Sequence, residues 1–143
     1  MTLILDAAPL VAVADRRDPL RPLIEALLRD EAGELIIPAP ITAEVDYLLG
    51  QRLGRSARLA FLEDVAAGRF KVAALDATDH GIVVELERKY DDLDAGLADL
   101  SAVVMAERHG TRRVLTFDER HFRALRPLRG GHFTLLPGDA PAR

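Results

Sequence analysis

Four acidic residues occupy positions where an apolar run stops or a helix starts. The segment "LILDAAPLV" drives Leu3, Ile4 and Leu5 into Asp6, and "RRVLTFDERHF" drives Val114, Leu115, Thr116 and Phe117 into Asp118. Glu44 lies just beyond "IIPAP", and Asp99 falls in the opening turns of "GLADLSAVVMAERHG". Carboxylates gathered within a few ångströms repel one another, at about 1.4 kcal/mol for each unit by which a pKa rises. A chain keeps such a group only if a cation offsets it. Oxygen donors of this kind suit Mg²⁺, with Mn²⁺ as the alternative; both retain waters and recruit phosphate oxygens.

Each acid also has a plainer reading. Asp6 after a strand is a natural helix N-cap, and Asp118 is placed to cap the short "ERHF" turn. Asp99 suits the positive end of a helix dipole, and Glu44 can be a solvated residue of a helix that Thr42 opens. Singly, none of the four decides anything. Their joint placement is the signal.

The elements that must position them are legible as alternation. Runs at Leu3–Leu5, Leu35–Ile37, Phe70–Leu75 and Val114–Phe117 predict strands, with a last one at Phe133–Leu136. The runs are brief and mostly lack strict apolar–polar alternation, as expected of parallel strands buried on both faces. Between them lie helical segments: Pro9–Ala14, Pro19–Asp30, "PITAEVDYLLGQRLG", "SARLAFLEDVAAG" introduced by Ser56 as N-cap, "DATDHGIVVELERKY" and "GLADLSAVVMAERHG". Gly68 and Gly110 mark helix C-termini. Strands alternating with helices predict an α/β fold with a mainly parallel sheet. In such sheets functional groups collect beyond the carboxyl ends of the strands, where Asp6 and Asp118 both stand.

Composition narrows the rest. At 143 residues, 49% of them hydrophobic, the chain fits a single domain over residues 1–143, with 137–143 expected to be a frayed tail. No apolar run approaches the roughly 18 residues of a membrane span, and the N-terminus lacks a basic leader, so a cytoplasmic protein is expected. The absence of cysteine excludes disulfides and thiolate chemistry. His80, His109, His121 and His132 show no paired spacing for zinc; His121, three residues from Asp118, reads as a surface histidine, with contact to substrate as the alternative. The net charge of −4 argues against a general nucleic-acid coat. Locally, however, Arg112, Arg113, Arg120, Arg123, Arg126 and Arg129 face only Asp118 and Glu119 over the same stretch. That predicts a basic patch for phosphate contacts, with Arg112, Arg113, Arg120 and Arg123 as the candidate nucleic-acid-contacting residues; the plain alternative is a solvated face.

Taken together, "LILDAAPLVA", "ITAEVDYLL", "LADLSAVVMAERHG" and "VLTFDERHF" resemble, in order and near spacing, the motifs of the PIN-domain ribonucleases, and most closely VapC-like toxins of type II toxin–antitoxin pairs. The resemblance covers roughly residues 2 to 136. It implies a PIN-like three-layer α/β fold with a central, mainly parallel sheet flanked by helices. It further implies that Asp6, Glu44, Asp99 and Asp118 bind Mg²⁺ or Mn²⁺ and catalyse metal-assisted hydrolysis of RNA. Thr116 matches a position where the family often has a hydroxyl, and Asp94 is a further accessory candidate. Ala7 departs from the serine or threonine usual after the first aspartate. A cognate antitoxin and a homodimer are the partners implied.

Rival readings are weaker. A receiver domain needs a lysine ending a late strand, and the two lysines, Lys71 and Lys89, are not so placed. A haloacid-dehalogenase-like phosphatase needs a second aspartate where this chain has Ala8. The remaining alternative is a non-catalytic PIN-fold RNA- or protein-binding module, whose mark would be loss of acids.

Overall fold

The computed structural model describes residues 2–141. Five strands form one sheet: β1 Leu3–Leu5, β2 Leu35–Pro38, β3 Lys71–Ala73, β4 Arg113–Leu115 and β5 Thr134–Leu136, in the order β3-β2-β1-β4-β5. Every pairing is parallel, so all five carboxyl ends share one edge. β1 sits at the centre, and its three side chains are wholly buried. This is why "LIL" shows no alternation: both faces of the central strand are covered.

Seven helices flank the sheet among the described residues: α1 Ala7–Ala14, α2 Arg21–Asp30, α3 Ala39–Arg52, α4 Arg55–Ala66, α5 Ala77–Lys89, α6 Leu97–Arg108 and α7 Glu119–Ala124. α6 packs against β1, β2 and β4, burying Leu100 to Met105 without a break. Its lack of an amphipathic stripe thus reflects burial all round. Gly68 and Gly110 carry the positive φ expected just past a helix end.

The structure corrects several boundaries. α1 begins at Ala7 rather than Pro9, because Asp6 caps it. α4 begins at Arg55 behind Gly54, so Ser56 lies inside the helix and caps nothing. The expected strand over Phe70–Leu75 contracts to three residues. It is an edge strand paired on one side only, and Asp76 opens α5 directly afterwards through a reciprocal capping box with Asp79. β4 stops at Leu115, two residues short of the expectation.

Residues 137–140, expected to fray, form a tied turn instead. Asp139 is held by the Arg123 guanidinium at 2.7 and 2.9 Å and by the Leu135 N–H at 2.8 Å, and Ala140 packs against the core. These ties, the ion pair exposed at the surface among them, outweigh the Pro/Gly-rich composition. The remaining residues of that expected tail include Ala142 and Arg143, which lie outside the described residues.

Candidate active site

Asp6 leaves β1 at its carboxyl end, and its backbone N–H continues the ladder to Leu115 O at 2.9 Å. Its side chain does two things at once. Oδ1 accepts the Ala7 N–H at 2.8 Å as the α1 cap, while Oδ2 accepts the Thr116 hydroxyl at 2.7 Å. The capping and site readings of Asp6 therefore coexist. Burial pushes its pKa up, against the lowering effect of the Thr116 and Ala7 hydrogen bonds, and the Asp118 charge adds to the rise.

Thr116 follows β4, the strand beside β1. It is 2% exposed, and its Oγ1 also accepts the Asp118 N–H at 2.9 Å. One hydroxyl thus locks two aspartates from opposite ends of the chain. Asp118 caps α7 by accepting the His121 N–H on Oδ1 at 3.1 Å, and turns Oδ2 to the His121 ring, 2.9 Å from Nδ1.

Asp99 comes from the third position of α6. Its Oδ2 lies 2.8 Å from the same His121 Nδ1. Burial, and next the Asp6 charge, push its pKa up to about 6, while the His121 hydrogen bond works the other way. Glu44 sits in the second turn of α3, not the first, because the helix already starts at Ala39. Its carboxyl is pushed up by burial and by the charge of Asp6, which marks it as a neighbour of the same rim. Among the described residues Glu44 makes no hydrogen bond or ion pair, leaving it available to a ligand.

The reading of His121 as a surface histidine is corrected. The ring is wedged between Asp99 and Asp118, with 19% of the side chain exposed. The signal was present in the spacing: three residues after a helix N-cap, a side chain lies above that cap on the same face. Nothing in the sequence, however, shows that Asp99 arrives on the other side.

Other expected residues fall elsewhere. Asp94 is exposed in the loop between α5 and α6, with φ +56°, and takes no part in the hydrogen-bonded array. The arginines are not brought together beside the acids. Arg113 opens β4, so it and Arg112 lie at the amino edge of the sheet, opposite the rim, and Arg113 is paired with Glu31. Arg129 pairs with Glu107, and Arg123 is committed to Glu119 and Asp139. Arg120, exposed on α7 two residues from Asp118, makes no ion pair among the described residues.

The donor set is carboxylate oxygen with one imidazole nitrogen, on four elements converging at the carboxyl edge. One ligand atom each from Asp99, Asp118 and His121 lies within 4.8 Å of the other two. Four neighbouring acids, with the carboxyls of Asp6, Glu44 and Asp99 pushed up and no basic side chain among them other than His121, fit a divalent cation better than they fit one another.

A protein-family model described as the PIN domain matches residues 3–126. The chain is 37% identical over 135 residues to Ribonuclease VapC26 of Mycobacterium tuberculosis, covering 94% of this chain and 100% of that protein. Among solved structures, it resembles Mycobacterium tuberculosis VapC20, a sarcin-ricin loop cleaving toxin, with a TM-score of 0.72 at 15% identity over 78% of this chain and 86% of that one. It also resembles VapBC2 from Rickettsia felis bound to a DNA fragment from their promoter, with a TM-score of 0.66 at 17% identity over 94% and 97% of the two chains. FitAcB from Neisseria gonorrhoeae gives a TM-score of 0.62 at 18% identity over 84% and 90%.

Proposed function

The chain belongs to the PIN-domain family, and from that premise we propose that it is a metal-dependent endoribonuclease acting as the toxin of a toxin–antitoxin pair. The observation that carries this reading is the array Asp6–Thr116–Asp118–His121–Asp99 at the carboxyl edge, with Glu44 beside it. All four acids implied by the family motifs are kept, and the relative at 37% identity is named a ribonuclease.

Asp6, Glu44, Asp99 and Asp118 would hold Mg²⁺ or Mn²⁺. When bound, such an ion lowers the pKa of a water and offsets charge on the phosphoryl oxygens. The protein's own part is geometry. Thr116 fixes the Asp6 carboxylate, the α7 cap fixes Asp118, and burial of α6 fixes the height of Asp99. Glu44, exposed at the mouth of the rim, faces incoming RNA. Arg120 supplies a phosphate contact next to Asp118, so substrate is positioned by its backbone rather than by base readout. Ala7 offers no hydroxyl beside Asp6, and Thr116 provides one from the neighbouring strand instead.

An antitoxin is the proposed partner, offering a cationic side chain to the acids when metal is absent, because opposite charge relieves their repulsion. A homodimer is also proposed. Leu20 and Leu23 beside and on α2 and Tyr47 on α3 are exposed apolar groups suited to such contacts. No helix among the described residues is long and apolar enough to cross a membrane.

The test is cleavage of a generic RNA by the purified chain with Mg²⁺, with Mn²⁺ and with EDTA, together with expression in cells alone and with the adjacent reading frame. Metal-dependent cleavage and relieved growth inhibition are expected. A folded, metal-loaded chain that cuts no RNA and is harmless on expression would leave only the binding-module reading.

A further inference from the structure

His121 presents a nitrogen where the proposed cation would sit. Its Nδ1 lies 2.8 Å from Asp99 Oδ2 and 2.9 Å from Asp118 Oδ2. An imidazole nitrogen carries either one proton or one lone pair. As an N–H it cannot make straight hydrogen bonds to both oxygens, and as a lone pair it faces two acceptors. With a proton one contact is left poor, and with a lone pair both are. A cation among the three atoms satisfies all of them at once.

The spacing agrees with that solution. Neighbouring ligands on an octahedral ion with bonds of about 2.1 Å stand roughly 3.0 Å apart. The two separations at His121 Nδ1 are within about 0.2 Å of this. The ring is also held in place rather than merely near. Its backbone N–H is fixed to Asp118 Oδ1, and the next residue, Phe122, is buried edge-on against Phe133 at 6.1 Å. The six-residue α7 is thereby anchored at the position of His121 itself.

We propose that His121 Nδ1 is a ligand of the cation together with Asp99 and Asp118, making the site a mixed nitrogen–oxygen centre that takes a first-row divalent transition metal in preference to Mg²⁺. Imidazole is a favoured donor for transition ions, whereas Mg²⁺ is served by carboxylate and water. This rests on the reading of the rim as a cation site, and deepens it by naming the ligand and the class of ion.

The test uses the full, untagged chain and Mn²⁺ as probe. Pulsed electron paramagnetic resonance of the Mn²⁺ complex is expected to show hyperfine coupling to one histidine nitrogen, absent in His121→Asn and His121→Gln. His80, His109 and His132 lie outside the acidic group, His80 and His132 with ring contacts to Asp76 O and to Arg126 and His109 at the far end of α6 near Lys71 and Glu34, so the coupled nitrogen is assignable. Both variants should bind Mn²⁺ about 10-fold more weakly or worse, with Mg²⁺ affinity changed about 3-fold or less. Mn²⁺ bound without nitrogen coupling, or coupling that survives in both variants, overturns the inference and leaves the cation site standing. If the folded parent chain binds neither ion, the cation site fails as well. The measurement on the parent chain decides the ligand question even where a variant is unstable.

Discussion

The Thr116 hydroxyl donates a 2.7 Å hydrogen bond to Asp6 Oδ2 across 110 residues of sequence, and the same oxygen receives the Asp118 N–H. A residue that is 2% exposed therefore spends both of its hydrogen-bonding capacities on the acids of the site. Burial raises the Asp6 pKa, and this hydrogen bond is the largest influence opposing that rise.

Thr116→Val keeps the shape and removes both bonds. Stability should fall by about 1–2 kcal/mol, since a buried carboxylate loses a donor and the Asp118 N–H loses its acceptor. Metal affinity should fall about 10-fold, as for other residues that orient a ligand. Thr116→Ser should recover most of both. Denaturant melts and Mn²⁺ titrations of the three proteins are the check; parental metal affinity in the valine variant would sink the orienting role.

Asp6→Asn separates catalysis from binding. Losing one charged carboxylate of the proposed metal site should slow RNA cleavage about 100-fold or more, the equivalent of roughly 3 kcal/mol of transition-state stabilisation. RNA affinity should hold level or rise, because one negative charge facing the phosphates has gone. Cleavage at the parental rate would mean that the metal site is misassigned.

Asp99 predicts the pH response of the metal-free protein. Its folded-state pKa of about 6 lies above the ordinary 3.8, so its contribution to stability is full below about pH 4 and is lost as pH rises through 6. In EDTA at pH 7, Asp99→Asn should be more stable than the parent by on the order of 1 kcal/mol, with the difference closing towards pH 4. Added Mn²⁺ should reverse the order at pH 7, since only the parent keeps that ligand. Melting curves over pH 4–7 with and without metal test this, and a pH-independent difference would contradict it.

The arginines divide by which edge of the sheet they occupy. Arg113→Met removes one of the partners of the Glu31 carboxylate and should cost about 1 kcal/mol of stability with no change in RNA affinity. Arg120→Ala should do the opposite, leaving stability within about 0.5 kcal/mol and weakening RNA binding. Its salt dependence should flatten by roughly one counterion. Equal effects of the two variants on RNA affinity would argue that the amino edge also touches substrate.

The opening acids were readable because a parallel sheet leaves little freedom at its carboxyl edge. Once Leu3–Leu5 and Val114–Leu115 are strands, the residues that follow must emerge on one rim. What the strands' neighbours would do was less visible. Phe70–Leu75 and Val114–Phe117 look like longer strands in sequence because local preference extends past the point where a partner strand or a capping side chain ends the ladder. The tail looked free because composition carries no record of the Arg123–Asp139 pair that ties it.

By itself, the sequence determined the alternation of strands and helices, the parallel sheet and the placing of four acids near the starts of helices, since these depend on local periodicity and on where each element starts and stops. Tertiary structure alone decided which side chains meet. It turned His121 inward between Asp99 and Asp118, and it joined Thr116 to Asp6. It sent Arg112 and Arg113 to the far edge of a sheet whose acids they neighbour in sequence. The reason is directional: a strand carries its chain from one edge of the sheet to the other. Residues five apart across a strand are separated by the sheet, while residues 110 apart at the ends of adjacent strands are in hydrogen-bonding contact.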